Sequence, residues 1–123
     1  MLLHKDLTDK VIKAFYKVYN ILGYGFLERV YENALMIELQ NSGLNVQKQV
    51  GINVFYEQQL VGKYYADLVV EDSFIIELKA AESICSEHEY QLINYLKATE
   101  IEIGLLLNFG KKPQFKRKIY TNK

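Results

Sequence analysis

Cysteine is nearly absent from this chain: Cys85 is the only one in 123 residues. No internal disulfide can form, and a reducing, cytoplasmic compartment is the natural expectation. Histidine is almost as scarce, with only His4 and His88. One thiol and two imidazoles are too few for a structural zinc site. A nucleophilic Cys85–His88 pair is not excluded by spacing, but no third group is evident to orient it. No apolar run approaches the ~20 residues that span a bilayer, so a membrane is not expected as a partner. Charge at Lys5 and Asp6 interrupts the start too early for a signal peptide. Repeats, linkers and low-complexity stretches are missing as well, so residues 1–123 read as one domain. The Gly23-Tyr24-Gly25 segment is no dinucleotide fingerprint: Glu28 stands where the third glycine belongs, and a helix precedes it.

Net charge is also lacking, yet the zero hides an asymmetry. Residues 1–110 carry nine Lys/Arg against fifteen Asp/Glu, whereas residues 111–123 carry six Lys/Arg and no acid. An acidic body with a basic C-terminal segment points weakly to nucleic acid at one end. Lys111, Lys112, Lys116, Arg117 and Lys118 are the phosphate contacts if that segment lies beside a cleft; a solvated terminus is the plain alternative.

What is present is strong periodicity. Leu7, Val11, Ala14, Phe15, Val18, Ile21 and Leu22 form one helical stripe, stopped by Gly23. A second helix is expected from about Leu27 to Asn41, with Glu28 and Glu32 on one face near its positive end. Val46 to Tyr56 alternates as a strand, about Leu60 to Val70 follows as a second, and Phe74 to Ala80 as a third. Ser86 to Thr99 reads as a helix with a Ser86/Glu89 capping box. Ile103 to Phe109 is almost wholly apolar, the mark of a strand covered on both faces and reached by a parallel crossover. The expectation is an α/β fold in ααβββαβ order, with a central mixed four-stranded sheet flanked by helices. A short edge strand over Phe115 to Tyr120 is an addition to it.

The chemistry concentrates between Tyr65 and Lys79. With Glu71-Asp72-Ser73 as the loop, Val70 faces Phe74, and Asp67 then falls opposite Glu77. Two carboxylates that close repel by about 4 kcal/mol at an effective dielectric of ~20. They need a proton or a cation between them. Lys79 supplies one charge, as an ammonium and not as a ligand. A surface salt-bridge cluster is the bland explanation for such residues. The apolar residues around them, Val69, Val70, Ile75, Ile76 and Leu78, argue instead for a covered strand and an oxygen-binding cation such as Mg²⁺.

Asp67 on the second strand with Glu77-Leu78-Lys79 on the third resembles the PD-(D/E)XK nuclease superfamily. Gly25-Phe26-Leu27-Glu28-Arg29-Val30-Tyr31 is similar to the motif of its GxxExxY proteins, and Gln91-Leu92-Ile93-Asn94-Tyr95 resembles the Gln-x-x-x-Tyr helix of RecB-like nucleases. Ala66 stands where the name-giving proline would be. The resemblance implies a restriction-endonuclease-like core and a nuclease hydrolysing nucleic-acid phosphodiesters, DNA foremost. It implies Mg²⁺ or Mn²⁺ held by Asp67, Glu77, the Leu78 carbonyl and Glu28. Lys79 would position the attacking water, and Gln91 would bond the nucleic-acid backbone or orient the metal shell. Tyr31 and Tyr95 read as structural. Members often dimerise, so a homodimer stays open, though no interface is legible. The competing class is a non-catalytic module that keeps the fold and binds nucleic acid or protein.

Overall fold

The computed structural model describes residues 4–121, and its centre is the strand buried at every residue, Ile103–Phe109. The element order is α1 (Lys5–Leu22), α2 (Glu28–Asn41), β1 (Val46–Tyr56), β2 (Gln59–Val70), β3 (Phe74–Lys79), α3 (Ser86–Lys97), β4 (Ile103–Phe109) and β5 (Pro113–Ile119). The strands form one sheet in the order β1-β2-β3-β4-β5. The β3–β4 pair is parallel and the other three are antiparallel. The α3 crossover makes that parallel pair, as a strand–helix–strand unit must.

The sheet therefore has five strands, not four. Pro113–Ile119 continues past the β4 turn and pairs antiparallel along all of β4, from Phe109↔Pro113 to Ile103↔Ile119. Proline is tolerated there because β5 is an edge strand and Pro113 is its first residue. The α3 cap also lies one residue earlier than Ser86. Cys85 occupies it, and its backbone N–H donates to His88 Nδ1 at 3.3 Å.

Two cores sandwich the sheet. On one face α1 and α2 pack Val11, Phe15, Val18, Tyr31, Leu35 and Leu39 onto alternate residues of β2, β3 and β4. On the other, α3 sets Leu92, Tyr95 and Leu96 against Val69, Ile75 and Leu106. Burying an aliphatic or aromatic side chain of this size is worth about 1.5–3 kcal/mol. Gly104 belongs to the second interface by necessity, since a Cβ there would lie 2.8 Å from Leu92 Cδ1 and 2.9 Å from the Ile75 carbonyl oxygen.

Even spacing should keep Val46, Val50 and Ile52 on one face of β1. They do not stay together: Val46 joins the α1/α2 core, while Ile52 and Val50 join the α3 core. β2 reverses in step, with Leu68 in the first core and Ala66 in the second. The reversal falls at Gln49 on β1 and Asp67 on β2.

Candidate active site

β2 and β3 pair through only three rungs, Val70↔Phe74, Val69↔Ile75 and Leu68↔Ile76. The register is the one that the Glu71–Ser73 loop dictates. Beyond Ile76 the backbones part, and two carboxylates complete the ladder. The Asp67 N–H donates to Glu77 Oε2 at 2.8 Å, and the Leu78 N–H donates to Asp67 Oδ2 at 2.8 Å. Each acid takes over a backbone donor of the opposite strand. Such a bond is about twice as strong when the accepting carboxyl is ionised as when it is neutral.

Glu77 is almost wholly buried, at 4% exposure. Burial, with the Asp67 charge adding to it, pushes its carboxyl up to about 8; the Asp67 N–H and Lys79 pull the other way. Glu32 on α2 is buried beside them, and its carboxyl is raised by burial, with Asp67 adding and the Gln49 hydrogen bond opposing. Lys79 is half-buried at the end of β3, close enough for its charge to favour ionised Glu77. The site is thus rich in acid and short of positive charge.

Glu28 takes a different place. It is the first residue of α2, exposed, and it lines a cleft of about 580 Å³ with Phe26, Ala80, Glu82, Gly110 and Lys111. Its charge reaches Glu77 only as the weakest of the causes that shift it. Among the described residues no three acid, histidine or cysteine side chains come close enough to hold an ion by themselves. The three-acid focus expected from Glu28, Asp67 and Glu77 is therefore not formed, because the start of α2 leaves Glu28 at the cleft mouth. Tyr31 governs that entry. Its hydroxyl donates to the Gly23 carbonyl at 2.6 Å and accepts from the Phe26 N–H at 3.2 Å, while its ring stacks on Phe109 at 4.3 Å.

Gln91 and Tyr95 face a separate groove of about 760 Å³ between α3 and the outer β1–β2 hairpin, with Phe55, Tyr64 and Tyr90. Tyr95 is nevertheless near the acids. Burial, with Glu77 and Asp67 adding, pushes its hydroxyl up to about 12, and the nearby Gln91 amide pulls slightly the other way.

A family model described as the PD-(D/E)XK nuclease superfamily matches residues 5–118, nearly the whole chain. The chain belongs to the PD-(D/E)XK nuclease superfamily. The solved structure titled "Crystal structure of SSO0001" is similar to it with a TM-score of 0.62 and 20% identity, over 96% of this chain. That likeness is one of fold, and this chain spans 59% of the other's length. No curated protein matches it.

PD-(D/E)XK nucleases generally depend on a divalent metal. The donor set here fits one: hard carboxylate oxygens side by side, one kept from ionising by burial and then by its neighbour's charge, suit an ion that keeps waters and takes substrate phosphate. The basic residues of this superfamily member divide. Lys111 borders the Glu28 cleft and Lys112 is exposed beside it. Lys118 is ion-paired with Glu89 on the α3 face. Lys116, pairing with Leu106, shares that face, while Arg117, pairing with Leu105, takes the other. They make no single patch.

Two contributors were not singled out from the sequence. Asn108 is fully buried, and its side chain both accepts from the Ala81 N–H and donates to the Ala81 carbonyl, each at 2.9 Å. That bracket fixes the chain just after Lys79, which pairs with Asn108 across β3–β4. Gln49 has φ 52° in the middle of β1, a left-handed conformation that strains a non-glycine residue by about 1–3 kcal/mol.

Proposed function

We propose that this protein is a Mg²⁺- or Mn²⁺-dependent nuclease of the GxxExxY branch that hydrolyses nucleic-acid phosphodiesters, with DNA the first substrate to assay. The observation that carries the proposal is the Asp67–Glu77 pair: two acids locked across parting strands, with Lys79 alongside and a buried carboxyl held at about 8. A purely structural pair gains little from such crowding, because uncompensated buried charge costs several kcal/mol.

In this reading Asp67, Glu77 and the Leu78 carbonyl would hold the divalent ion, with Glu28 bonding an outer water from the cleft mouth. When bound, the ion supplies Lewis-acid polarisation of the phosphate and a lower pKa for water. The chain's own residues do the rest. Lys79 orients the attacking water and screens charge developing on phosphorus. Gln91, with Tyr95 behind it, fixes the strand on the α3 side. Lys111 and Lys112 contact phosphates along the cleft, and Lys116, Arg117 and Lys118 contribute only to a strand that wraps the β5 edge. The support for the GxxExxY assignment is the work of its tyrosine, since Tyr31 holds the Gly23–Phe26 turn that presents Glu28. The same proposal places the protein in the cytoplasm and leaves a homodimer to be read by sedimentation.

The test pairs Mn²⁺ calorimetry with cleavage of single- and double-stranded DNA and RNA. Wild type is expected to bind Mn²⁺ and cut at least one substrate, and Asp67→Asn or Lys79→Ala to fold but not cut. A wild type that neither binds the ion nor cleaves refutes the nuclease reading in favour of a non-catalytic binding module.

A further inference from the structure

Gln49 stands where β1, β2 and α2 meet, and the chemistry proposed above makes no use of it. Its amide nitrogen lies 3.2 and 3.3 Å from the two carboxylate oxygens of Glu32 and 3.3 Å from Asp67 Oδ1. With carboxylates on both sides, only the NH₂ end of the amide can face them. In the β1–β2 ladder Lys48 pairs with Leu68 and Val50 with Ala66, and the intervening Gln49 is left out. Its left-handed backbone is what removes it. A glycine would take that conformation without strain but would carry no amide.

We infer that Gln49 is a positioning residue for Asp67: its amide ties Asp67 Oδ1 to the buried carboxylate of Glu32 and so fixes the plane in which Asp67 meets Glu77. Asp67 is then held from both neighbouring strands. The Leu78 N–H of β3 bonds Oδ2, and the Gln49 amide of β1 bonds Oδ1. Gln49 is itself anchored, because both oxygens of Glu32 accept from it and Glu32 is buried in α2. Without the amide, three carboxylates would face one another with a single backbone donor to restrain Asp67, and that side chain would turn away. The consequence for metal binding rests on the nuclease reading; the placement of Asp67 does not. Outer hydrogen-bond partners of this kind change metal affinity by 10–100-fold when removed.

The test uses Gln49→Gly and Gln49→Met. The first removes both the amide and the backbone strain; the second removes the amide and keeps the strain and the bulk. In metal-free crystal structures Asp67 Oδ2 is expected within hydrogen-bond distance of the Leu78 nitrogen in wild type and turned away in both variants. Mn²⁺ affinity measured by calorimetry is expected to fall 10–100-fold in both, although Gln49→Gly melts no lower than wild type. A Gln49 that serves only the shape of β1 gives another pattern, in which Gln49→Gly binds Mn²⁺ as wild type does. That result, or an unmoved Asp67 in both variants, overturns the inference. If wild type binds no Mn²⁺ while Asp67 still turns in the variants, the nuclease reading falls and the positioning role stands.

Discussion

Glu77→Gln in the metal-free protein is the sharpest test of the electrostatics. The Glu77 carboxyl titrates at about 8 in the folded chain against 4.5 as its ordinary value. Below 4.5 both folded and unfolded chains hold the proton, and the group leaves stability unchanged. Between 4.5 and 8 the unfolded chain releases a proton that the folded chain retains. Stability therefore falls as pH rises through that window, by about 1.4 kcal/mol per unit. The whole window amounts to no more than about 5 kcal/mol, reached above pH 8. A glutamine keeps an acceptor for the Asp67 N–H and has no proton to lose. Urea denaturation with a chelator present should thus find wild type and Glu77→Gln similar at pH 5. At pH 8.5 the variant should be more stable by several kcal/mol. Glu32 shifts in the same direction, but it is common to both proteins and cancels in the comparison. If the proposed metal site is right, added Mn²⁺ should reverse the order at pH 8.5, because the ion would offset the buried charge of ionised Glu77 and would gain far less from a neutral amide. Parallel stability profiles from pH 5 to 9 would refute the reasoning.

Tyr31→Phe removes the hydroxyl that bonds the Gly23 carbonyl and the Phe26 N–H, and it should cost about 1–3 kcal/mol by urea denaturation. Gly104→Ala forces a methyl against Leu92 and the Ile75 carbonyl; thermal melting should show a loss of about 1–3 kcal/mol with the fold retained. Removing Lys111 and Lys112 together should lower the salt dependence of oligonucleotide binding by about one unit of slope per lost phosphate contact. Lys118→Ala should change that slope less, because Glu89 already neutralises its charge.

Much of this was legible in the residues. Val46–Tyr56 and Ile103–Phe109 have the limits that alternation and a nearly continuous apolar run prescribe. The Glu71–Ser73 loop fixes the β2–β3 register, and with it the meeting of Asp67 and Glu77. Strand β5 was harder to read in full because its edge position leaves Lys116, Arg117 and Lys118 on it, and charge of that density looks like a solvated segment. Glu28 was expected among the acids because the resemblance implied it, on a helix face that it shares with Glu32. Periodicity gives a side chain's face, however, and not how far along the helix axis the sheet acids lie. Gln49 was hidden for a backbone reason. A left-handed residue inside a strand leaves hydrophobic spacing unbroken, so Val46, Val50 and Ile52 look like one face although they serve two cores. One signal was available: extending the β1–β2 pairing sets an amide side chain opposite Asp67.

The parting of β2 and β3 gives Asp67 and Glu77 a second occupation, as surrogate rungs of the sheet. Silencing such a nuclease by mutation therefore has a cheap route and an expensive one. Asparagine or glutamine at these positions would abolish the proposed ion binding yet still accept the backbone proton, whereas an aliphatic residue would strand that proton without a partner. A relative that keeps the scaffold without the proposed cutting should carry amides at both places.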